Sequence, residues 1–246
     1  LPVFATNQID INKIKNELGK GVNISLLEQY AAVDGELIKK LQQIYYRCSQ
    51  LNIKLIIVYH YGKLSNENIY SENDRIIRIW KQIITAMKAN STNNLFFELY
   101  NEPTTDMDVW KSSVTTLVRE LRKEDPERIF IIGGANYNGF NELLHMGKLD
   151  VDDGKIIYTF HFYEPYIFTH QGADWTAEKT FITGFPYPYK AKKMPRLYNA
   201  PSDSQLYKDY FRIPKESTCE YLFERIKYIS NEAKSLIYRL SAQKRG

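Results

Sequence analysis

Cysteine is almost missing from this chain. Cys48 and Cys219 are the two present, too few and too far apart for a disulfide framework or a zinc pattern. Histidine is scarce as well: the four residues include no pair at i, i+4 on a helix, so no metal-ligating motif is present. No apolar run is long enough to cross a bilayer. No Gly-rich phosphate loop, low-complexity tract or internal repeat beyond strand–helix alternation occurs. Charge of one sign is also lacking. The 33 Lys and Arg face 29 Asp and Glu, leaving a net charge of +4 spread along the chain. The clusters Lys190–Lys193 and Lys244-Arg245 are too short for a nucleic-acid arm. These absences argue against metal-dependent and phosphate-cofactor chemistry, nucleic-acid binding and membrane insertion. The expectation is no cofactor, no metal, no nucleic acid and no membrane.

Apolar and aromatic residues are plentiful. The 246 residues are 43% hydrophobic, enough for one large α/β domain with a sizeable core, and we read 1–246 as a single domain. Aromatics make up 14%, with 19 Tyr. A tyrosine either fills a half-buried core position or stacks on a sugar ring while its hydroxyl bonds a sugar oxygen. The start, Leu1-Pro2-Val3-Phe4-Ala5, reads as a plain apolar tail or as the end of a signal peptide. In the second case Val3-x-Ala5 is the cleavage site and the expected location is secreted or periplasmic.

Apolar spacing predicts helices over Ile9–Leu18, Glu36–Leu51 (capped by Asp34), Asp74–Met87, Asp106–Lys123, Asn141–Met146 and Tyr221–Leu236. Runs rich in β-branched and aromatic residues predict strands over Gly21–Leu26, Ile53–His60, Leu95–Tyr100, Arg128–Ile132 and Lys155–Phe162. Such alternation argues for a parallel sheet built from βαβ units. Tyr166–Ile213 reads as a long irregular segment, aromatic enough for a binding wall. Ser241–Gly246 reads as a polar tail without an element.

Three predicted strands end in polar, aromatic clusters: His60-Tyr61, Asn101-Glu102-Pro103 and His161-Phe162-Tyr163. Proline cannot donate to a sheet ladder, so the third strand must stop at Asn-Glu-Pro. Glu102 is thereby placed at the carboxyl end of a strand, where parallel α/β folds carry their chemistry. A single such Glu is equally a solvated loop residue, and a single such His equally structural. Three such ends on one rim point to a site.

These stretches resemble the cellulase-type members of glycoside hydrolase family 5. The likeness rests on Gly21-Val22-Asn23, on Ile56–Gly62, on Phe97-Glu98-Leu99-Tyr100-Asn101-Glu102-Pro103, on Tyr158–Tyr163 and on Phe168–Trp175, and covers about Leu18 to Leu236. It implies a (β/α)8 TIM barrel and retaining endo-hydrolysis of β-1,4-glucan without a cofactor. It makes Glu102 the acid/base and Asn101 the partner of the sugar 2-hydroxyl. It puts His60, His161 and Tyr163 around the reacting sugar and makes Trp175 a stacking platform. Retention needs two carboxyl groups about 5–5.5 Å apart.

The family's nucleophile, a glutamate ending the seventh strand, has no counterpart here. No Glu follows Glu232, which lies inside a helix pattern. The second, seventh and eighth strands are not found either, so the expected barrel is partial and truncated at its C-terminal end. Its open edges favour self-association. The readings are an endoglucanase that draws its second carboxylate from Glu164, Asp174 or a partner chain, or an inactive remnant that binds β-glucan through Tyr163, Trp175 and the tyrosine-rich segment. An unrelated α/β barrel enzyme is a third.

Overall fold

The computed structural model describes residues 21–24, 35–60, 62–151, 153–175, 183–197, 202 and 204–243; for 21–24, 205–206 and 236–243 it describes the backbone alone. The predicted helix Ile9–Leu18, the Asp34 cap, the Leu1–Ala5 start, Tyr61 and Lys244-Arg245 lie outside these residues.

The β-branched run Lys54–Val58 forms β2, which takes strands on both sides. Together with β1 (Gly21–Ile24), β3 (Leu95–Glu98), β4 (Phe130–Gly133) and β5 (Ile156–Thr159) it builds a five-stranded sheet in the order β1-β2-β3-β4-β5. Every neighbouring pair is parallel. These are the five strands that the apolar runs predict, with ends shifted by up to three residues where both ends are described. Helices alternate with them: α1 (Gly35–Gln50) leads into β2, α2 (Ile69–Met87) into β3 and α3 (Met107–Arg122) into β4. The short α4 (Phe140–Met146) lies between β4 and β5.

The helices pack because their apolar residues recur at helical spacing. Ile76, Ile79, Trp80, Ile83, Ile84 and Met87 of α2 are buried, as are Trp110, Val114, Leu117, Val118 and Leu121 of α3. They share one core with alternate sheet residues Leu55, Ile57, Leu95, Phe97, Phe130 and Ile132. Period-2 alternation sends Val58, Phe96, Glu98 and Ile131 to the opposite face of the sheet. These four are buried too, but lie outside that core.

Helix α2 begins at Ile69, five residues before the predicted start. Its first turn, Ile69-Tyr70-Ser71-Glu72-Asn73, hides among polar residues. Asn68 precedes it, and its side chain accepts from Ser65 N (2.7 Å) and donates to Lys63 O (2.7 Å).

Residues 1–161 and 162–246 form two compact units. The second unit corrects the reading of Tyr166–Ile213 as irregular. It contains a helical turn at Tyr166–Thr169, a 3-10 turn at Ala191–Lys193 and the helix α5 over Gln205–Glu216. Pro214 obscures α5 in the sequence. It lies in the last turn, where a missing N–H costs one rung only. Ser204 caps the other end, accepting from Tyr207 N at 3.2 Å. Helix α6 runs from Cys219 to Gln243, so residues 241–243, expected as tail, continue the helix. Ile167, Phe185 and Ile213 form this unit's own small core.

Candidate active site

The end of β3 is held from three directions. Tyr59 N donates to Glu98 O (3.2 Å), Asn101 N to Tyr59 O (2.8 Å) and Leu99 N to Ile131 O (3.1 Å), so the ladder continues past the strand to Asn101. Behind it, Trp80 Nε1 of α2 donates to Leu99 O at 3.1 Å, and Trp110 Nε1 of α3 donates to Gly133 O at 2.9 Å. Each indole satisfies a strand-end carbonyl that would otherwise be buried and unpaired. These aromatic rings therefore fill the core and also fix where the strands stop.

Glu102 follows with φ 53°, in the left-handed region. A residue before proline and without a glycine's freedom reaches that region at a cost, on the order of 1–3 kcal/mol. Such strain persists where the surroundings over-determine it. Here Asn101 is tied to Tyr59 on one side, and Pro103 O accepts from Tyr137 N (3.2 Å) on the other.

His161, two residues beyond β5, meets Glu102: its Nδ1 lies 2.5 Å from Oε1. Both side chains are partly exposed, 23% and 30%, so the pair is open to a ligand. Nε2 of the same ring lies 3.3 Å from Nδ2 of Asn138, a residue with no exposed surface. Beside the pair sits Glu98, the last residue of β3, 6% exposed. Burial pushes its carboxyl above the usual carboxylate range; His161 opposes the shift and Glu102 adds to it. Sequence reasoning misses both Glu98 and Asn138 as site residues. For Glu98 a signal exists: its even spacing from Phe96 sets it on the sheet face opposite the helical core.

Of the residues singled out in the sequence, Glu102 and His161 are joined directly and Asn101 is held by its backbone beside them. His60 is half-buried two residues after β2. Tyr163 and Trp175 belong to the second unit, 48% and 82% exposed. There Tyr163 packs edge-on against His170, with ring centroids 5.2 Å apart, and His170 stacks on Tyr166 at 4.0 Å. Glu164, expected as a substitute nucleophile, is committed elsewhere. Arg225 grips both its oxygens (2.8–3.0 Å), and Tyr221 donates its hydroxyl at 3.3 Å. Asp174 is exposed in the same unit. Among the described residues no group of three His, Cys, Asp or Glu can hold a metal ion, and no helix is long and apolar enough to cross a membrane.

The family model for cellulase, glycosyl hydrolase family 5, matches residues 11–196. Endoglucanase C of Acetivibrio thermocellus is 31% identical over 139 residues, which are 52% of this chain and 40% of that protein. Endoglucanase H of the same organism is 33% identical over 142 residues, 56% of this chain and 15% of the relative. Cellodextrinase A of Ruminococcus flavefaciens is 28% identical over 163 residues, 59% of this chain and 47% of the relative. The chain therefore spans less than half the length of these relatives.

Among solved structures, a hyperthermophilic endo-β-1,4-glucanase in complex with substrate superposes with a TM-score of 0.59 at 30% identity, covering 67% of this chain and 56% of that one. An endoglucanase of Thermotoga maritima reaches a TM-score of 0.62 at 22% identity, with 91% and 67% covered, which speaks for the fold. The parallel five-stranded sheet with its helices is thus part of a (β/α)8 barrel, and the site lies at the carboxyl ends of its strands, as the barrel requires. By its family model, its relatives and its fold, this chain belongs to glycosyl hydrolase family 5.

Proposed function

We propose that the chain carries the proton-donor half of an endo-acting β-1,4-glucanase site, with Glu102 as acid/base. One observation carries this reading: Glu102 is held at a strand end in a strained backbone, with Oε1 bonded to His161. In cleavage the Glu102 proton passes to the departing glycosidic oxygen as the bond to the anomeric carbon breaks. Water then supplies the hydroxyl of the new reducing end and returns a proton to Glu102. Asn101 is assigned to the sugar 2-hydroxyl and His60 and His161 to the reacting sugar, while Tyr163 and Trp175, in the second unit, are assigned to binding a β-glucan chain. The outer strands of the sheet, paired on one side among the described residues, support self-association of the chain as well.

A second reading, β-glucan binding without turnover, is favoured by Glu98. Retention needs an ionised carboxylate opposite the acid, and burial raises the pKa of Glu98, the carboxyl next to Glu102. The test is reducing-sugar release from carboxymethyl cellulose, beside a Glu102→Gln control. Loss of the release by about 10²–10⁴-fold in the control is the expected result for a general acid. Release that survives the substitution overturns the assignment. No release from a folded chain, with heat on titrating cello-oligosaccharides, would instead support the second reading.

A further inference from the structure

We propose that Asn138 is a positioning residue that holds His161 in the Nδ1–H tautomer, so that the ring donates to Glu102. The inference deepens the reading of Glu102 as proton donor, on which its consequence rests. An amide nitrogen has hydrogens and no acceptor lone pair, so Asn138 Nδ2, 3.3 Å from His161 Nε2, can only donate to it. Nε2 must then carry its lone pair. A neutral imidazole has a single N–H, which is left to Nδ1, the atom 2.5 Å from Glu102 Oε1.

The placement of Asn138 is built into the fold. Asn136, Tyr137 and Asn138 have φ of 50°, 62° and 58°, three successive left-handed residues. Asparagine tolerates this conformation, whereas tyrosine reaches it at a cost. The turn is pinned at both ends of the site: Tyr137 N donates to Pro103 O (3.2 Å), and Asn138 O accepts from His161 N (2.9 Å). It therefore brackets the Glu102 loop and the His161 strand end. The Asn138 amide lies against Gly133, where a Cβ would come within 2.2 Å of Oδ1, so only glycine leaves room for it. Oδ1 itself is buried without a hydrogen-bond partner. The unpaired acceptor is a cost that only a turned amide, accepting from a protonated Nε2, would relieve. With the amide turned round, Oδ1 would face Nε2 and require a proton there.

The experiment is a long-range 1H–15N correlation spectrum of the histidine rings in the labelled full chain. The sequence has four histidines, and the His161 signals are identified by their disappearance in His161→Phe. Nε2 of His161 is expected at the unprotonated position and Nδ1 at the protonated one. In Asn138→Asp, a carboxylate replaces the donor at nearly the same volume, and Nε2 is expected to move by the full separation between the unprotonated and protonated positions. Gly133→Ala, which expels the amide without changing its chemistry, is expected to end the donation to Nε2 and to move the same signal. Backbone amide spectra report whether each variant is folded, and Asn138→Asp decides if Gly133→Ala is not. A protonated Nε2 in the parent chain, or an Nε2 unmoved in folded Asn138→Asp, overturns the proposal. No substrate is needed, so a chain without hydrolysis still reveals the role of Asn138. A hydrolytically active chain with a protonated Nε2 would overturn Asn138 alone.

Discussion

Three side chains, Glu98, Glu102 and His161, meet at the ends of β3 and β5. Glu98 is the one whose carboxyl is displaced by burial, and the sign of the displacement sets a pH dependence. Its folded pKa is raised above the unfolded value, so the folded state holds a proton that the unfolded state gives up. The stability is therefore complete below the unfolded glutamate pKa and is lost as pH rises through the folded one. Glu98→Gln keeps the shape and removes the titration. Urea denaturation at a series of pH values should show the parent chain losing more stability over that range than the variant does; parallel curves would refute this. Glu102 is legible in the sequence because proline stops the strand behind it. Asn138 is not, because its φ of 58° is a property of the turn and leaves no apolar period to read.

Between neighbouring elements, the connection runs through the two indoles. Trp80 on α2 and Trp110 on α3 fill the core and also cap Leu99 O and Gly133 O. Trp110→Phe keeps most of the apolar bulk but orphans the carbonyl at the end of β4, one residue before the Gly134 that opens the Asn138 turn. The loss should be about 1–3 kcal/mol for the unpaired carbonyl, with a further cavity contribution. Chemical denaturation measures it; a change within about 0.5 kcal/mol, the range of a surface substitution, would mean that the carbonyl finds another donor. The helices themselves are plain in the sequence, since a period of 3.6 needs no knowledge of the partner surface. Helix α5 is not, because Pro214 and the surrounding Tyr and Lys mask a period that Ser204 begins.

The whole sheet ends in two strands that are paired on one side among the described residues, β1 and β5. Residues of β5 are half-exposed where β3 and β4 are fully buried. An apolar sheet edge invites pairing with another chain, and a lysine in it deters that. The mass measured by light scattering should accordingly rise with protein concentration, and Ile157→Lys should lower it; a constant monomer mass would contradict the idea. The parallel α/β architecture, the five strands and the strand-end position of Glu102, His161 and Asn101 follow from the chain's own pattern, because apolar period, β-branched runs and proline act over a few residues. What joins them does not. The contact of Glu102 with His161 and the amide aimed at the His161 ring connect residues 59 and 23 positions apart in the chain. Such meetings depend on strand register and on which face each residue turns inward, and those are decided only when the sheet has assembled.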